Sequence, residues 1–322
     1  MNEKGEMGTA IVDARELGRW YGQVVGLSDL SVRIGPGITG LLGPNGAGKS
    51  TFLQLVVGCL RPNRGELTVL GQRPFASREL YRRLGFAPQQ DALYDDLNAR
   101  DMVAYLLRLA GYAAREARQR SEAALARVGL SDVLTRRVGS YSKGMRQRVK
   151  IAQAIAHEPE FVVLDEPLTG LDPVGRREVI DLLRALADEG VSVLASSHVL
   201  HEVETLTEEI VLLHRGRLLA RGSIADVRGL LSQHPSRVEV VARKARALGR
   251  ELLGIDGVLV VEVHDEQGGD VPIDGRIRLQ AQDRSALLAG LTEIASGGDF
   301  GVTRIETADE SLEAVFDYLV TE

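Results

Sequence analysis

At 322 residues the chain exceeds the usual single-domain size, and 44% apolar residues supply two proper cores, which excludes global disorder. Its single cysteine, Cys59, excludes an intrachain disulfide and a cysteine zinc cluster, and no apolar run approaches the roughly 20 residues that span a bilayer. The net charge of −6 is uneven: the first 230 residues carry 30 basic and 28 acidic side chains, the remainder 9 and 17, so phosphate backbones and anionic lipid surfaces are disfavoured partners of the C-terminal part.

Met1 to Ala10 is polar and lacks the apolar core of a signal peptide, which predicts a soluble protein of a reducing compartment. From there to about residue 220, short β-rich runs alternate with helical patterns, the order of an α/β domain. Ile38 to Leu42 is a strand leading into the glycine-rich segment Gly43 to Ser50. Thr51 to Leu60 follows as a helix, closed by Arg61-Pro62-Asn63. Further strands are expected at Leu67 to Leu70 and just ahead of Pro88-Gln89. Asn98 to Leu130 is rich in Ala, Arg and Leu at helical spacing, and Gly111 divides it into two helices. Strands return at Phe161 to Leu164, Val191 to Ser196 and Ile210 to His214. Val174 to Asp188 is a helix, with Pro173 suited to its first turn.

After Gly222 a helix, Ile224 to Leu231, leads to a linker at Gln233 to Ser236. Beyond it the expected order is strand (Val238 to Ala242), helix (Ala245 to Leu253), strand (Val258 to Val263), strand (Arg276 to Ala281), helix (Ser285 to Ala295), strand (Val302 to Thr307). That βαββαβ succession defines a small α+β, ferredoxin-like C-terminal domain, followed by a last helix at Ser311 to Val320. The expected domains are therefore 1–232 and 237–322, with a helical subdomain at about 91–158.

Gly43-Pro44-Asn45-Gly46-Ala47-Gly48-Lys49-Ser50 fits the G-x-x-x-x-G-K-[ST] phosphate loop, placed after a strand and before a helix. Glycines let backbone N–H groups converge on phosphate oxygens, and the helix N-terminus adds its positive dipole end. In such a loop Lys49 bridges the β- and γ-phosphates, Ser50 ligates Mg²⁺, and Thr51 offers a hydroxyl toward the α-phosphate. Asp165-Glu166 ends the apolar strand Phe161 to Leu164, where open α/β sheets place their ligands. Asp165 suits a Mg²⁺-organising carboxylate, and Glu166 a general base for an attacking water.

Between these two elements lies Tyr141-Ser142-Lys143-Gly144-Met145. With it, the chain resembles the ATP-binding subunit of an ABC transporter, over about Ile11 to Ala225. The resemblance implies a P-loop NTPase cassette with an inserted helical subdomain. It makes Tyr21 an adenine-stacking aromatic, and it makes Gln89 (rather than Gln90) the residue that contacts Mg²⁺ or water near a membrane partner. Pro167 to Asp172 resembles the loop that puts Asp172 at a dimer contact. His198, ending the strand after the acidic pair, matches the switch histidine that faces the γ-phosphate; His201, one helical turn on, is its competitor. The family usually carries Leu-Ser-Gly-Gly-Gln where this chain has Tyr141 to Met145. Ser142 and Gly144 are retained and would face ATP bound to a second copy, whereas Lys143 is left to approach phosphate or point to solvent.

The implied cofactors are ATP and Mg²⁺. The implied partners are a second cassette and separate integral membrane permease subunits, without nucleic acid, in a cytoplasmic protein held peripherally on the inner face of the membrane. The Ser-Lys-Gly-Met variant and the ending Glu310 to Phe316 resemble the export-like group paired with ABC-2-type permeases. The alternative is a soluble ABC ATPase working on ribosomes or DNA; the single cassette, the lack of zinc cysteines and the acidic C-terminal domain weigh against it.

Overall fold

The structure, a computed structural model, describes residues 10–231, 236–264, 275–282 and 284–307. The chain divides into two compact units, Met1–Ile224 and Ala225–Glu322.

In the first unit the elements run β1 (Val12–Tyr21), β2 (Val24–Ile34), β3 (Ile38–Leu42), α1 (Lys49–Val56), β4 (Arg64–Val69), α2 (Arg78–Arg83) and β5 (Leu84–Ala87). Then come α3 (Ala99–Leu109), α4 (Ala114–Arg127), α5 (Lys143–Ile155), β6 (Phe161–Leu164), α6 (Pro173–Asp188), β7 (Ser192–Ser197), α7 (Leu200–Glu204), β8 (Glu209–His214) and β9 (Arg217–Ser223). A six-stranded sheet has the order β5-β6-β7-β3-β8-β9, parallel except where β9 turns back on β8. The strand at Leu67 belongs elsewhere: β4 pairs with β1 in a separate antiparallel sheet, β2-β1-β4.

Residues of a strand alternate between faces, so a strand buried on both sides feeds two cores. Along β6, Val162 and Leu164 pack with α3 to α6, while Phe161 and Val163 pack with α1 and the antiparallel sheet. This sandwiching leaves the carboxyl ends of β5, β6, β7 and β3 side by side, where the chain must leave the sheet through loops.

Three local boundaries follow from cap chemistry. Helix α1 stops at Val56, earlier than the sequence expectation of Leu60. Gly58 adopts φ 76°, and the bonds Gly58 N–H to Leu55 O (3.0 Å) and Cys59 N–H to Gln54 O (2.9 Å) form a Schellman close ahead of Pro62. Gly111, at φ 103°, separates α3 from α4. Asp172 caps α6 by accepting from the Gly175 amide at 3.0 Å, with Pro173 in the first turn.

A helix α8 (Ile224–Leu231) follows the first unit's last strand. The second unit then comprises β10 (Ser236–Ala242), α9 (Ala245–Leu252), β11 (Val258–His264), β12 (Gly275–Ala281), α10 (Arg284–Gly297) and β13 (Val302–Thr307). The strands form one antiparallel sheet in the order β11-β12-β10-β13, the ferredoxin-like arrangement. Its core is built from Val238, Val240, Ile277 and Leu279 of the sheet against Leu248 and Leu252 of α9 and Leu287 and Leu291 of α10. Of the expected linker, Ser236 begins β10, and 233–235 lie outside the described residues, as does the helix expected from Ser311.

Candidate active site

The phosphate loop leaves β3 at its carboxyl end and enters α1 at Lys49. It is anchored from behind by the β8–β9 turn: the Gly216 amide donates to Ala47 O (2.9 Å), and Gly216 O accepts from Ser28 (2.7 Å). Gly48 caps α1 at φ 101°, and a Cβ there would lie 2.6 Å from Gly26 O. Only glycine fits this corner, for reasons of both backbone and space. Asn45 and Gly46 form the exposed crest, Gly43 and Pro44 the base, and Ser50 and Thr51 the first turn of α1.

Lys49 is buried, at 6% exposure. Its ammonium donates to Gly43 O at 2.5 Å and Pro44 O at 3.3 Å, and lies 3.6 Å from Glu166 Oε1. Burial pulls its pKa below the ordinary lysine range, against the opposing pull of Glu166 and Asp165.

Both carboxylates are buried at the end of β6. Glu166 sits in the left-handed region at φ 54°, which turns its side chain back toward Lys49. Its Oε2 accepts from Thr169 Oγ1 at 3.3 Å and meets His198 Nδ1 at 2.9 Å. An ionised carboxylate can only accept, so Nδ1 carries the hydrogen. His198 is therefore the histidine brought to the acidic pair, while His201 faces solvent near Glu204.

Sequence reasoning missed Ser196. Its buried hydroxyl donates to Asp165 Oδ1 at 2.6 Å and accepts the Glu166 amide at 2.9 Å, so one oxygen holds both acidic residues. The parallel register that sets Leu164 beside Ala195 puts Asp165 beside Ser196, information absent from either strand alone. Gly26 was also missed. A Cβ there would meet Tyr21 Cε2 at 2.9 Å and Thr51 Cγ2 at 3.1 Å, so Tyr21 and the first turn of α1 converge across it. Tyr21 is 43% exposed, with the Arg19 guanidinium 5.0 Å from its ring centroid.

Gln89 lies beyond β5 on the same sheet edge, since the Asp165 amide donates to Ala87 O. Lys150 of α5 grips this segment by donating to Pro88 O (2.8 Å) and Gln89 O (3.0 Å). Arg146, one turn earlier, binds Asp91 through both carboxylate oxygens (2.5 and 3.0 Å) and Asp95 (2.6 Å), which holds the Asp91 carboxyl below its usual range.

Ser142 and Gly144 lie at the N-terminus of α5. The Ser142 hydroxyl caps the helix by accepting from Met145 at 3.3 Å, and Gly144 faces Leu171. The Lys143 stem lies across Gly170, in the segment that follows the acidic pair.

Among the described residues no group of three or more His, Cys, Asp or Glu side chains could hold a metal alone. The site nevertheless fits one: two buried carboxylates against one ammonium would repel a polyphosphate unless a divalent cation accompanied it. Mg²⁺ characteristically takes one carboxylate together with phosphate oxygens.

A phosphate loop beneath a paired acidic strand end, on a mostly parallel sheet with an inserted helical lobe, defines a P-loop nucleotide-binding protein. The comparisons narrow this further. The family described as ABC transporter matches residues 27–169. An ABC transporter ATP-binding protein of Nostoc is 34% identical over 312 residues, 93% of this chain and 89% of its own. The daunorubicin resistance ATP-binding protein DrrA3 of Streptomyces coeruleorubidus is 38% identical, covering 78% and 80%. Among solved structures, an ATP-binding subunit of an ABC transporter superposes with a TM-score of 0.62 at 28% identity, over 69% of this chain and 93% of that one. The chain belongs to the ABC transporter family, as one of its ATP-binding cassettes. No helix among the described residues is long and apolar enough to cross a membrane.

Proposed function

We propose that the protein is the ATP-hydrolysing subunit of an export-type ABC transporter, driven by head-to-tail pairing of two cassettes. The observation that carries this is the convergence of three distant segments on one carboxylate: Glu166 lies 3.6 Å from Lys49 and 2.9 Å from His198. Lys49 and the loop amides bind the β- and γ-phosphates, Tyr21 stacks on adenine, and Glu166 orients and deprotonates the attacking water while His198 keeps it in line. Ser50, Asp165 and Gln89 would hold Mg²⁺, which neutralises phosphate charge when bound.

Ser142 and Gly144, at the N-terminus of α5, are assigned to the γ-phosphate of a second copy, with Asp172 at the contact. ATP favours the closed pair by binding it better than the open one, and loss of the γ-phosphate releases it. A groove of about 620 Å³ between α2, β5, α3 and α5, lined among others by Arg78, Arg82, Phe86, Leu106, Leu109 and His157, would offer a membrane permease a seat of mixed apolar and basic character. DrrA3 and the Nod factor export protein of Burkholderia thailandensis carry drug-resistance and export names, which favours outward transport.

Glu166→Gln tests the reading: it keeps ATP binding by calorimetry, accumulates as a closed dimer on gel filtration with ATP, and has negligible turnover. Steady-state hydrolysis at the wild-type rate would remove Glu166 from its role.

A further inference from the structure

The His198 imidazole is nearly half exposed and is held on one side at Nδ1 by Glu166 Oε2 at 2.9 Å, so its aim depends on that bond and on the backbone that carries it. That backbone is clamped on both sides by one hydroxyl. Ser197, the last residue of β7, is buried, and its Oγ donates to Glu202 Oε2 at 2.9 Å and accepts the Val199 amide at 3.0 Å. A hydroxyl has a single hydrogen, and the Glu202 oxygen at 2.9 Å is a nearer acceptor for it than Val199 O at 3.4 Å, while the Val199 N–H can only donate. The residues before and after His198 are thereby tied to one point, and Glu202 on α7 holds that point.

Glu202 is itself buried, at 9% exposure. Its other oxygen, Oε1, lies 3.4 Å from Arg176 Nη1. Arg176 stands in the first turn of α6, its amide bonded to Asp172 O at 2.9 Å, and Asp172 caps that helix. A continuous series of polar contacts therefore joins the N-terminus of α6 to the histidine turn through Arg176, Glu202 and Ser197.

We infer that Glu202 is a positioning residue for His198, and that Arg176 couples its placement to the N-terminal turn of α6. The inference rests on the proposed role of His198. A displacement of the imidazole by a fraction of an ångström misaligns the attacking water without disturbing nucleotide affinity, and such shifts cost on the order of 10- to 100-fold in rate.

The test is Mg·ATP hydrolysis by the full chain. Glu202→Ala is expected to lower kcat at least about tenfold with KM for ATP unchanged within about twofold, and Glu202→Gln, which still accepts from Ser197, to recover most of that loss. In a His198→Ala background, followed by radiolabelled phosphate release, Glu202→Ala is expected to have no further effect, because residues acting through one another are not additive. Should Glu202→Ala fail to fold, Ser197→Ala interrogates the same link. Additive losses in the His198→Ala background would overturn the inference, as would a KM rising in step with the loss of kcat, or a Gln variant as slow as the Ala variant. If His198→Ala itself leaves kcat unchanged, the role proposed for His198 fails first; if it slows turnover while Glu202→Ala and Ser197→Ala do not, only the present inference fails.

Discussion

Ser196→Ala removes one buried oxygen that serves two masters. The Asp165 carboxylate loses its 2.6 Å donor, and the Glu166 amide loses its 2.9 Å acceptor, at a residue only 1% exposed. A hydrogen bond to a charged group contributes about 1.5–3 kcal/mol, and a buried amide left unpaired costs about 1–3 kcal/mol. Both losses come from one atom and are coupled, so about 3 kcal/mol is expected rather than the full sum. That is a large fraction of the ~5–15 kcal/mol by which domains of this kind are stable. Trp20 is the sole tryptophan and lies in the first unit, so its fluorescence during urea unfolding reports on that unit alone. On the role proposed for Asp165 at Mg²⁺, the half-saturating Mg²⁺ concentration for hydrolysis should rise by about tenfold, since its supporting partner is removed. A stability change below about 0.5 kcal/mol together with unchanged Mg²⁺ dependence would refute the reasoning.

Two further predictions concern places where packing or burial sets the outcome. Gly26→Ala puts a Cβ 2.9 Å from the Tyr21 ring and 3.1 Å from Thr51, so Tyr21 must move; KM for ATP should rise about fivefold, for the loss of about 1 kcal/mol of stacking, with kcat little changed. An unchanged KM in a folded variant would show that Tyr21 takes no part in binding. His157 donates from Nε2 to Leu84 O at 3.1 Å, and burial pushes its pKa below the ordinary 6.5. The unfolded chain then takes up a proton before the folded one does. The stability of the native state is thus fully present above about pH 6.5 and falls as pH drops toward the lowered folded value. Melting curves at about pH 7 and pH 5 should show a smaller acid loss for His157→Gln than for the unaltered chain, and parallel losses would contradict the burial argument.

Much of the site was legible because its chemistry is local. The phosphate loop needs glycines at set spacings between a strand and a helix, and eight consecutive residues carry that whole pattern. Asp165 and Glu166 follow a four-residue apolar strand, and Asp172 precedes a proline, so both positions announce themselves from their neighbours. Helix α1 shows the limit: Pro62 is an obvious stop, but Gly58 stops the chain sooner because its left-handed conformation closes the helix first. The strand around Leu67 was recognisable as a strand, whereas its membership of the β2-β1-β4 sheet was not, because pairing is a relation between distant segments.

The amino-acid sequence by itself carried the phosphate-loop and acidic-pair patterns, pointed to an α/β cassette, and singled out the lysine, carboxylates and glycines proposed to bear that chemistry. Tertiary structure alone decided what holds them. Ser196 reaches Asp165 through the parallel register of β6 and β7, Gly26 joins Tyr21 to α1 through close approach, and Gly216 secures the loop from the turn after the neighbouring strand β8. The physical reason is the same in each case. A residue type that must touch phosphate is restricted by chemistry and leaves a local pattern, whereas a hydroxyl or a missing side chain that supports it is defined only by what lies opposite when the sheet is assembled.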